Sequence, residues 1–141
     1  MAISSARAMT NGIDALLPLE HDQTDSFYTL SKNVQENTKQ NIKMLLFTSP
    51  GERIMFPEYG VGLRRFLFEN TPEAAIAAAI NRQVKKYMLD QITITSLKVE
   101  RGSKKMTSIV GQPNLLTIEM IYIINGYNIR DSIVVTDTLP G

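Results

Sequence analysis

The sequence predicts an α+β domain: two main helices and a short helical turn packed on a three-stranded antiparallel sheet, preceded by an N-terminal arm. Three observations predict it. Apolar residues recur at helical spacing over 31–47 and again over 73–87. After Asp90 the apolar period changes to two. Asn125-Gly126 then separates two strand-like runs, a strong hairpin signal because a type I′ turn needs φ > 0 at both central positions. The expected organisation is an arm over 1–30 and a single domain over 31–141.

The arm is mixed and poorly periodic. Its Leu16-Leu17-Pro18-Leu19 patch is kept from helix by Pro18 and is expected to pack the arm on the domain. In the first helix Val34, Thr38, Ile42, Leu45 and Leu46 share a face, with Lys32, Gln35, Glu36, Lys39 and Lys43 on the others. Thr48-Ser49-Pro50-Gly51 stops it. Residues 50–62 hold two prolines and three glycines among charged and aromatic residues. This reads as a shaped loop, in which Pro50 and Pro57 fix φ and large apolar side chains provide anchorage.

A helical turn is expected over 63–68. Thr71-Pro72-Glu73 reads as a helix start: an N-cap hydroxyl, proline at the first position and an acid complementing the dipole. Ile76, Ala79, Ile80, Val84 and Tyr87 form the buried stripe, while Arg82, Lys85 and Lys86 occupy the last turns, where cations are favoured.

Ile92 and Ile94 alternate with Thr93 and Thr95, and Leu97 and Val99 continue in the opposite phase. That change predicts a bulge near Ser96 or a strand covered on both faces. Leu115–Ile124 is apolar at nearly every position, as a central strand requires. A two-residue Asn125-Gly126 loop pairs Ile124 with Tyr127, Tyr122 with Ile129, Ile118 with Ile133 and Leu116 with Val135, all on one face. Asp131 opposite Met120 is the misfit. Between the first two strands, Arg101-Gly102-Ser103-Lys104-Lys105 and Gly111-Gln112-Pro113-Asn114 form a long, mildly basic loop, read as a solvated hairpin tip. A phosphate-binding tip needs more cation density or aromatic stacking.

Composition bounds the function. The 141 residues carry 15 Lys+Arg against 14 Asp+Glu, a net charge of +1, so there is no overall field to hold nucleic acid. The absence of cysteine excludes disulfides, thiolate metal sites and thiol catalysis. The one histidine, His21, excludes multi-histidine metal sites and sits among polar residues unsuited to catalysis. Residues 1–11 lack the apolar core of a secretory signal, and the longest apolar run is far below the ~20 residues of a membrane span. A soluble protein of a reducing compartment, without cofactor, metal or membrane span, is expected.

Glycosidase chemistry needs two carboxyls flanking a sugar cleft. Glu52, Glu58 and Glu69 cluster in sequence, yet Arg53, Arg64 and Arg65 stand beside them, which favours structural ion pairs. Gly60-Val61-Gly62 lacks the spacing of a nucleotide-binding loop. No catalytic site is visible.

The loop and its flanks carry a pattern. Asn41-Ile42-Lys43-Met44-Leu45-Leu46-Phe47-Thr48 is followed by Pro50-Gly51-Glu52-Arg53, Pro57-Glu58-Tyr59-Gly60 and Leu67-Phe68-Glu69-Asn70. This order and spacing resembles the contractile-tail baseplate wedge, or sheath-initiator, family (gene product 25-like), strongly over 37–87 and more loosely through the strands. The resemblance implies a structural virion protein of the phage tail baseplate, or of a related injection particle. Its implied partners are the tail-sheath subunit, other wedge proteins and inner tube or hub proteins. On the family motif Gly51 and Arg53 shape the turn, and Pro57, Glu58, Tyr59 and Gly60 fix the loop against the helices, with an ion pair expected from Arg53 to Glu58 or Glu69.

Many members carry Glu-Pro-Arg between the long helix and the first strand for contact with the wedge bundle. Here the place reads Tyr87-Met88-Leu89-Asp90, and an apolar contact through Met88 and Leu89 is expected instead. The last strand, over 127–135, is easily placed at a sheet edge, where unpaired backbone groups accept another strand. Tyr127, Ile129, Arg130, Asp131, Ser132 and Val134 are its sheath-facing candidates. Two alternatives stay open: a tail-associated lysozyme-like hydrolase, and a regulatory binding protein of the same fold.

Overall fold

The computed structural model describes residues 14–22, 27–28, 30–31, 33–102 and 115–138. The chain divides into two units, residues 1–41 and 42–141, with the boundary inside the first helix. In the first unit, β1 (Asp14–Ala15) pairs antiparallel with β4 (Leu30–Ser31), and β2 (His21–Asp22) pairs with β3 (Phe27–Tyr28). Helix α1 is Val34–Phe47. Its start lies later than residue 31 because Asn33 caps it, its side-chain oxygen accepting from the Gln35 amide at 3.0 Å. Leu17 and Leu19 are about half exposed. Leu16 is half-buried, and the Gln40 side chain donates to the Ala15 carbonyl at 2.8 Å and accepts from the Leu17 amide at 2.9 Å.

In the second unit, α2 (Leu63–Phe68) and α3 (Glu73–Tyr87) precede β5 (Ile92–Arg101), β6 (Leu115–Ile124) and β7 (Ile129–Thr138). The strands form one antiparallel sheet in the order β5-β6-β7. The expected α+β architecture is present, with α3 packed on β5 and α2 beside β7. Ile42, Leu45 and Leu46 of α1, Ile76, Ile80 and Val84 of α3, and every second residue of β6 from Leu116 to Ile124 form the buried core. Each such side chain contributes roughly 1.5–3 kcal/mol on leaving water. The residues 103–114 of the basic loop lie outside the described residues.

Two local expectations are corrected. At the start of α3, Pro72 rather than Thr71 occupies the N-cap, with φ −59° and ψ 144°. The Thr71 hydroxyl donates to Glu69 at 3.2 Å, and the Pro72 carbonyl receives the Ala75 and Ile76 amides. At the hairpin, the turn has four residues, 125–128, with Asn128 at φ 52°. The ladder is therefore shifted by two: Ile124 pairs with Ile129, Tyr122 with Asp131, Met120 with Ile133 and Ile118 with Val135.

The reason for the longer turn is that Asn125 is committed elsewhere. Its side chain donates to the Leu89 carbonyl at 3.0 Å and accepts from the Thr93 hydroxyl at 2.9 Å, while its amide donates to Gln91. The new register also resolves the misfit at Asp131. The buried Tyr122 hydroxyl donates to that carboxylate at 3.4 Å, and burial together with the carboxylate raises the phenol pKa. The expected bulge is present, between Ile94 and Ser96.

Candidate functional site

The loop between α1 and α2 is held mainly by its backbone. The Gly51 amide closes it on the Pro57 carbonyl at 2.7 Å, and the Val61 and Gly62 amides donate to Leu45 and Thr48 carbonyls at 2.9 Å each. Its large apolar side chains do not anchor it, contrary to expectation: Ile54, Met55 and Phe56 are 94%, 84% and 57% exposed. Buried Val61 and Leu63 carry the apolar contact where the loop enters α2.

Helix α3 clamps the far side of the loop. Gln83 accepts from the Gly60 amide at 3.1 Å and donates to the Glu58 carbonyl at 3.0 Å. Tyr87 meets the Tyr59 ring edge to face, centroids 5.0 Å apart and planes at 69°. The Arg53 guanidinium lies 4.1 Å from the centre of the Tyr59 ring. The expected ion pair from Arg53 to Glu58 or Glu69 is therefore replaced by a cation–π contact. Burial raises the Tyr59 phenol pKa, with Arg53 opposing it.

Glu58 pairs instead with Lys86. That hydrogen bond and charge hold the Glu58 carboxyl below its ordinary range and raise the Lys86 ammonium above its own. A lowered carboxyl supports the folded loop above the ordinary carboxylate range, and this support is lost as pH falls through the folded value. A raised ammonium supports it below the ordinary lysine range and loses it as pH rises past the folded value. The clamp is thus expected to be complete in neutral solution and to loosen in acid. Amide exchange at Tyr59 and Gly60, followed by NMR, checks this: local opening should increase in acid, and Lys86→Met should remove that increase. An unchanged acid response in the variant sinks the assignment.

The segment expected to contact the wedge bundle divides sharply. Met88 is buried at 4% exposure and belongs to the core of its own domain, so it is unavailable to a partner. Tyr87 is half-buried against Tyr59, and Asp90 is exposed. Leu89 is 61% exposed and lines an open groove of about 340 Å³ with Asn81, Val84, Lys85, Ile92, Thr93 and Ile94.

The strand β7 lies at the edge of the sheet. Gly102 donates to the Leu115 carbonyl at 2.7 Å, so odd-numbered residues of β6 turn their backbone groups toward β5 and even-numbered ones toward β7. In β7, Ile129, Asp131 and Ile133 therefore bond to β6, while Arg130, Ser132, Val134 and Thr136 direct backbone groups to the open side. The Ser132 amide is capped locally by the Asp131 carboxylate at 2.8 Å. Val134 is 59% exposed. Tyr127 is not in the strand; it occupies the turn, 62% exposed. The other edge, β5, carries the bulge and a Lys98–Glu100 ion pair at 2.8 Å, features that discourage pairing. The β7 ladder has no register shift.

A family model described as baseplate wedge protein gp25 matches residues 32–128, which include the clamped loop, all of α2 and α3, and strands β5 and β6. The chain belongs to this baseplate wedge family. Membership makes it a structural component of the phage tail baseplate. A crystal structure from Geobacter sulfurreducens, of a protein named as a candidate tail lysozyme, matches at 20% identity with a TM-score of 0.61, covering 80% of this chain and 97% of that one. At that identity the likeness is one of fold. The cryo-EM structure of the anti-feeding prophage baseplate matches at 21% identity and a TM-score of 0.49, covering 89% of this chain and 83% of that one. No curated protein matches the chain by sequence. Among the described residues, no helix is long and apolar enough to cross a membrane, and no acidic or histidine cluster is arranged for a metal.

Several residues that shape this wedge protein were not singled out for these roles by sequence reasoning. Gln83, Lys86 and Tyr87 stand at i, i+3 and i+4, beside the buried stripe of α3, and that spacing marks one helix face. Arg101 reads in sequence as part of a basic tip. In the structure its guanidinium donates to the Phe66, Glu69 and Thr71 carbonyls at 2.9, 2.9 and 3.1 Å.

Proposed function

We propose that this wedge subunit joins other wedge proteins near Leu89 and nucleates tail-sheath assembly by offering the open side of β7 to a strand of the first sheath subunits. The observation that carries this reading is the edge itself: a ten-residue strand with an unbroken ladder on one side and the backbone groups of Arg130, Val134 and Thr136 directed to the other. Strand addition draws affinity from such main-chain groups and specificity from alternate side chains, here Arg130, Ser132 and Val134. A preformed edge also removes part of the ordering cost that a first sheath ring otherwise meets in solution. Leu89, exposed beside a groove that Asn81, Lys85 and Thr93 also line, offers an apolar anchor with polar surroundings, which supports contact with a helical bundle at this place.

Catalysis is not part of the proposal. A glycosidase general acid needs a carboxyl with a raised pKa. The Glu58 carboxyl is shifted the other way, Glu52 caps the Ser49 amide at 2.8 Å, and Glu69 accepts from Thr71.

Val134→Pro tests the sheath contact. The residue's N–H faces the open side, so proline removes no β6 ladder bond and is tolerated on an edge. Sheath growth on baseplates carrying the variant is expected to fall at least tenfold, while the unfolding midpoint of the isolated protein stays near that of the wild type. Normal sheath growth with the variant incorporated overturns the proposal.

A further inference from the structure

We propose that Ile54-Met55-Phe56 is a preformed apolar plug that inserts into an apolar socket on another protein subunit of the baseplate. The inference rests on membership of the baseplate wedge family and is independent of the β7 contact.

The tip combines extreme exposure with a fixed backbone. Ile54 and Met55 are 94% and 84% exposed, values that leave almost nothing of either side chain against its own domain. Yet the chain around them is closed on itself. Gly51 donates to Pro57 at 2.7 Å, Tyr59 to Phe56 at 3.1 Å and Glu52 to Ser49 at 3.1 Å, and the Glu52 carboxylate accepts from the Ser49 amide. Gln83, Lys86 and Tyr87 then clamp the following residues to α3. Three consecutive large apolar side chains presented this way have the backbone part of their conformational cost settled before binding, which favours affinity from a small patch.

Shape and size select the occupant. The tip is convex, so its complement is a concave apolar socket. Three such side chains offer roughly 400 Å² of apolar surface, at the scale of functional patches on monomers. That is about half of what one side of a standard protein interface buries. Two copies meeting tip to tip would bury less in total than the ~1,000 Å² of a stable contact. The plug therefore suits the anchor of a larger contact with a different subunit, where buried aromatic and aliphatic anchors dominate binding. Lipid is disfavoured by charge. Interfacial segments seat anionic headgroups with free Lys or Arg. Here Arg53 lies on Tyr59, Lys86 is paired with Glu58, and the loop's own Glu52 and Glu58 are acidic.

The absence of cysteine makes a direct test simple, since Met55→Cys introduces a single thiol. Maleimide labelling of that variant is compared between the free protein and purified baseplates that contain it. Labelling at least tenfold slower in the baseplate is expected; equal rates overturn the proposal. A second variant, Ile54→Ser with Met55→Ser, should keep the unfolding midpoint, because these two side chains have almost no packing to lose. Its incorporation into baseplates should fall at least tenfold, and normal incorporation overturns the proposal. Two further results would also overturn it: wild-type sedimentation with phosphatidylglycerol vesicles, or dimerisation of the free protein, lost in the double variant. Either result, with the loss read in the Ile54→Ser, Met55→Ser variant, reassigns the tip, to a membrane or to a second copy.

Discussion

Gly60→Ala is expected to remove about 4 kcal/mol or more of folding stability, a fall in the unfolding midpoint on the order of 15 °C. Two costs combine. Gly60 has φ +108°, a region that residues with a Cβ enter only under strain. A Cβ there would also stand 2.1 Å from the Thr48 carbonyl oxygen and 2.7 Å from its carbon. The obstacle is backbone and is itself fixed, because the Thr48 oxygen accepts from Gly62 and its amide and hydroxyl both donate to Met44. Relief would require separating the loop from the end of α1, with loss of the Gln83 clamp. Gly51→Ala is the matched control. Gly51 has φ +91° but open space around it, so only the backbone cost applies, about 1–2 kcal/mol. Urea unfolding of both variants separates the two costs. A Gly60→Ala variant no weaker than Gly51→Ala contradicts the close-contact account.

That comparison also marks how far the loop can be read in sequence. The motif residues Gly51, Arg53, Pro57, Glu58, Tyr59 and Gly60 do lie together, and all but Pro57 and Gly51 meet α3 or one another through side chains or the Gln83 clamp. Their partners were illegible because charge matching along the chain favours neighbours. Arg53 lies close to Glu58 in sequence, whereas Lys86 reaches Glu58 only because the phase of α3 turns positions 83, 86 and 87 toward the loop. Hydropathy misplaced Ile54, Met55 and Phe56 for a related reason: it measures the gain on leaving water, not where in an assembly that gain is taken.

The sheet shows the opposite balance. Strand periodicity located β5, its bulge and β6, and the apolar run identified β6 as central. Shifting the hairpin by two residues changed every cross-strand partner but no residue's face, because the side-chain period is two. The core assignment of Ile118, Ile133 and Val135 therefore survived a wrong turn. The turn itself depended on what Asn125 bonds, and its partners Leu89 and Thr93 are more than thirty residues away. In the bundle segment burial changes within one residue, a boundary that hydropathy does not mark: Met88, the C-cap of α3, is buried, and Leu89 begins the surface.

Arg101→Met is expected to destabilise the domain by about 2–4 kcal/mol. The guanidinium satisfies three carbonyls at once, those of Phe66, Glu69 and Thr71, and the Arg101 amide donates to Glu73 at 3.1 Å. Phe66 has one of the last carbonyls of α2 and Glu69 is its C-cap, positions that a helix end leaves without internal partners. A cation there also complements the helix dipole. Thr71 belongs to the link into α3, so one side chain at the end of β5 ties the short helix, the link and the sheet. Each bond is charge-assisted but partly exposed, which places the sum at the lower end for three such contacts. Methionine keeps most of the apolar stem, so the measured loss reports the hydrogen bonds rather than packing. Arg101→Lys should recover only a minor part, because a single ammonium cannot reproduce the planar fork that reaches three separate acceptors. Equilibrium urea unfolding of the two variants decides the matter. A lysine variant equal to the wild type, or a methionine variant within about 0.5 kcal/mol of it, contradicts the role assigned to the fork.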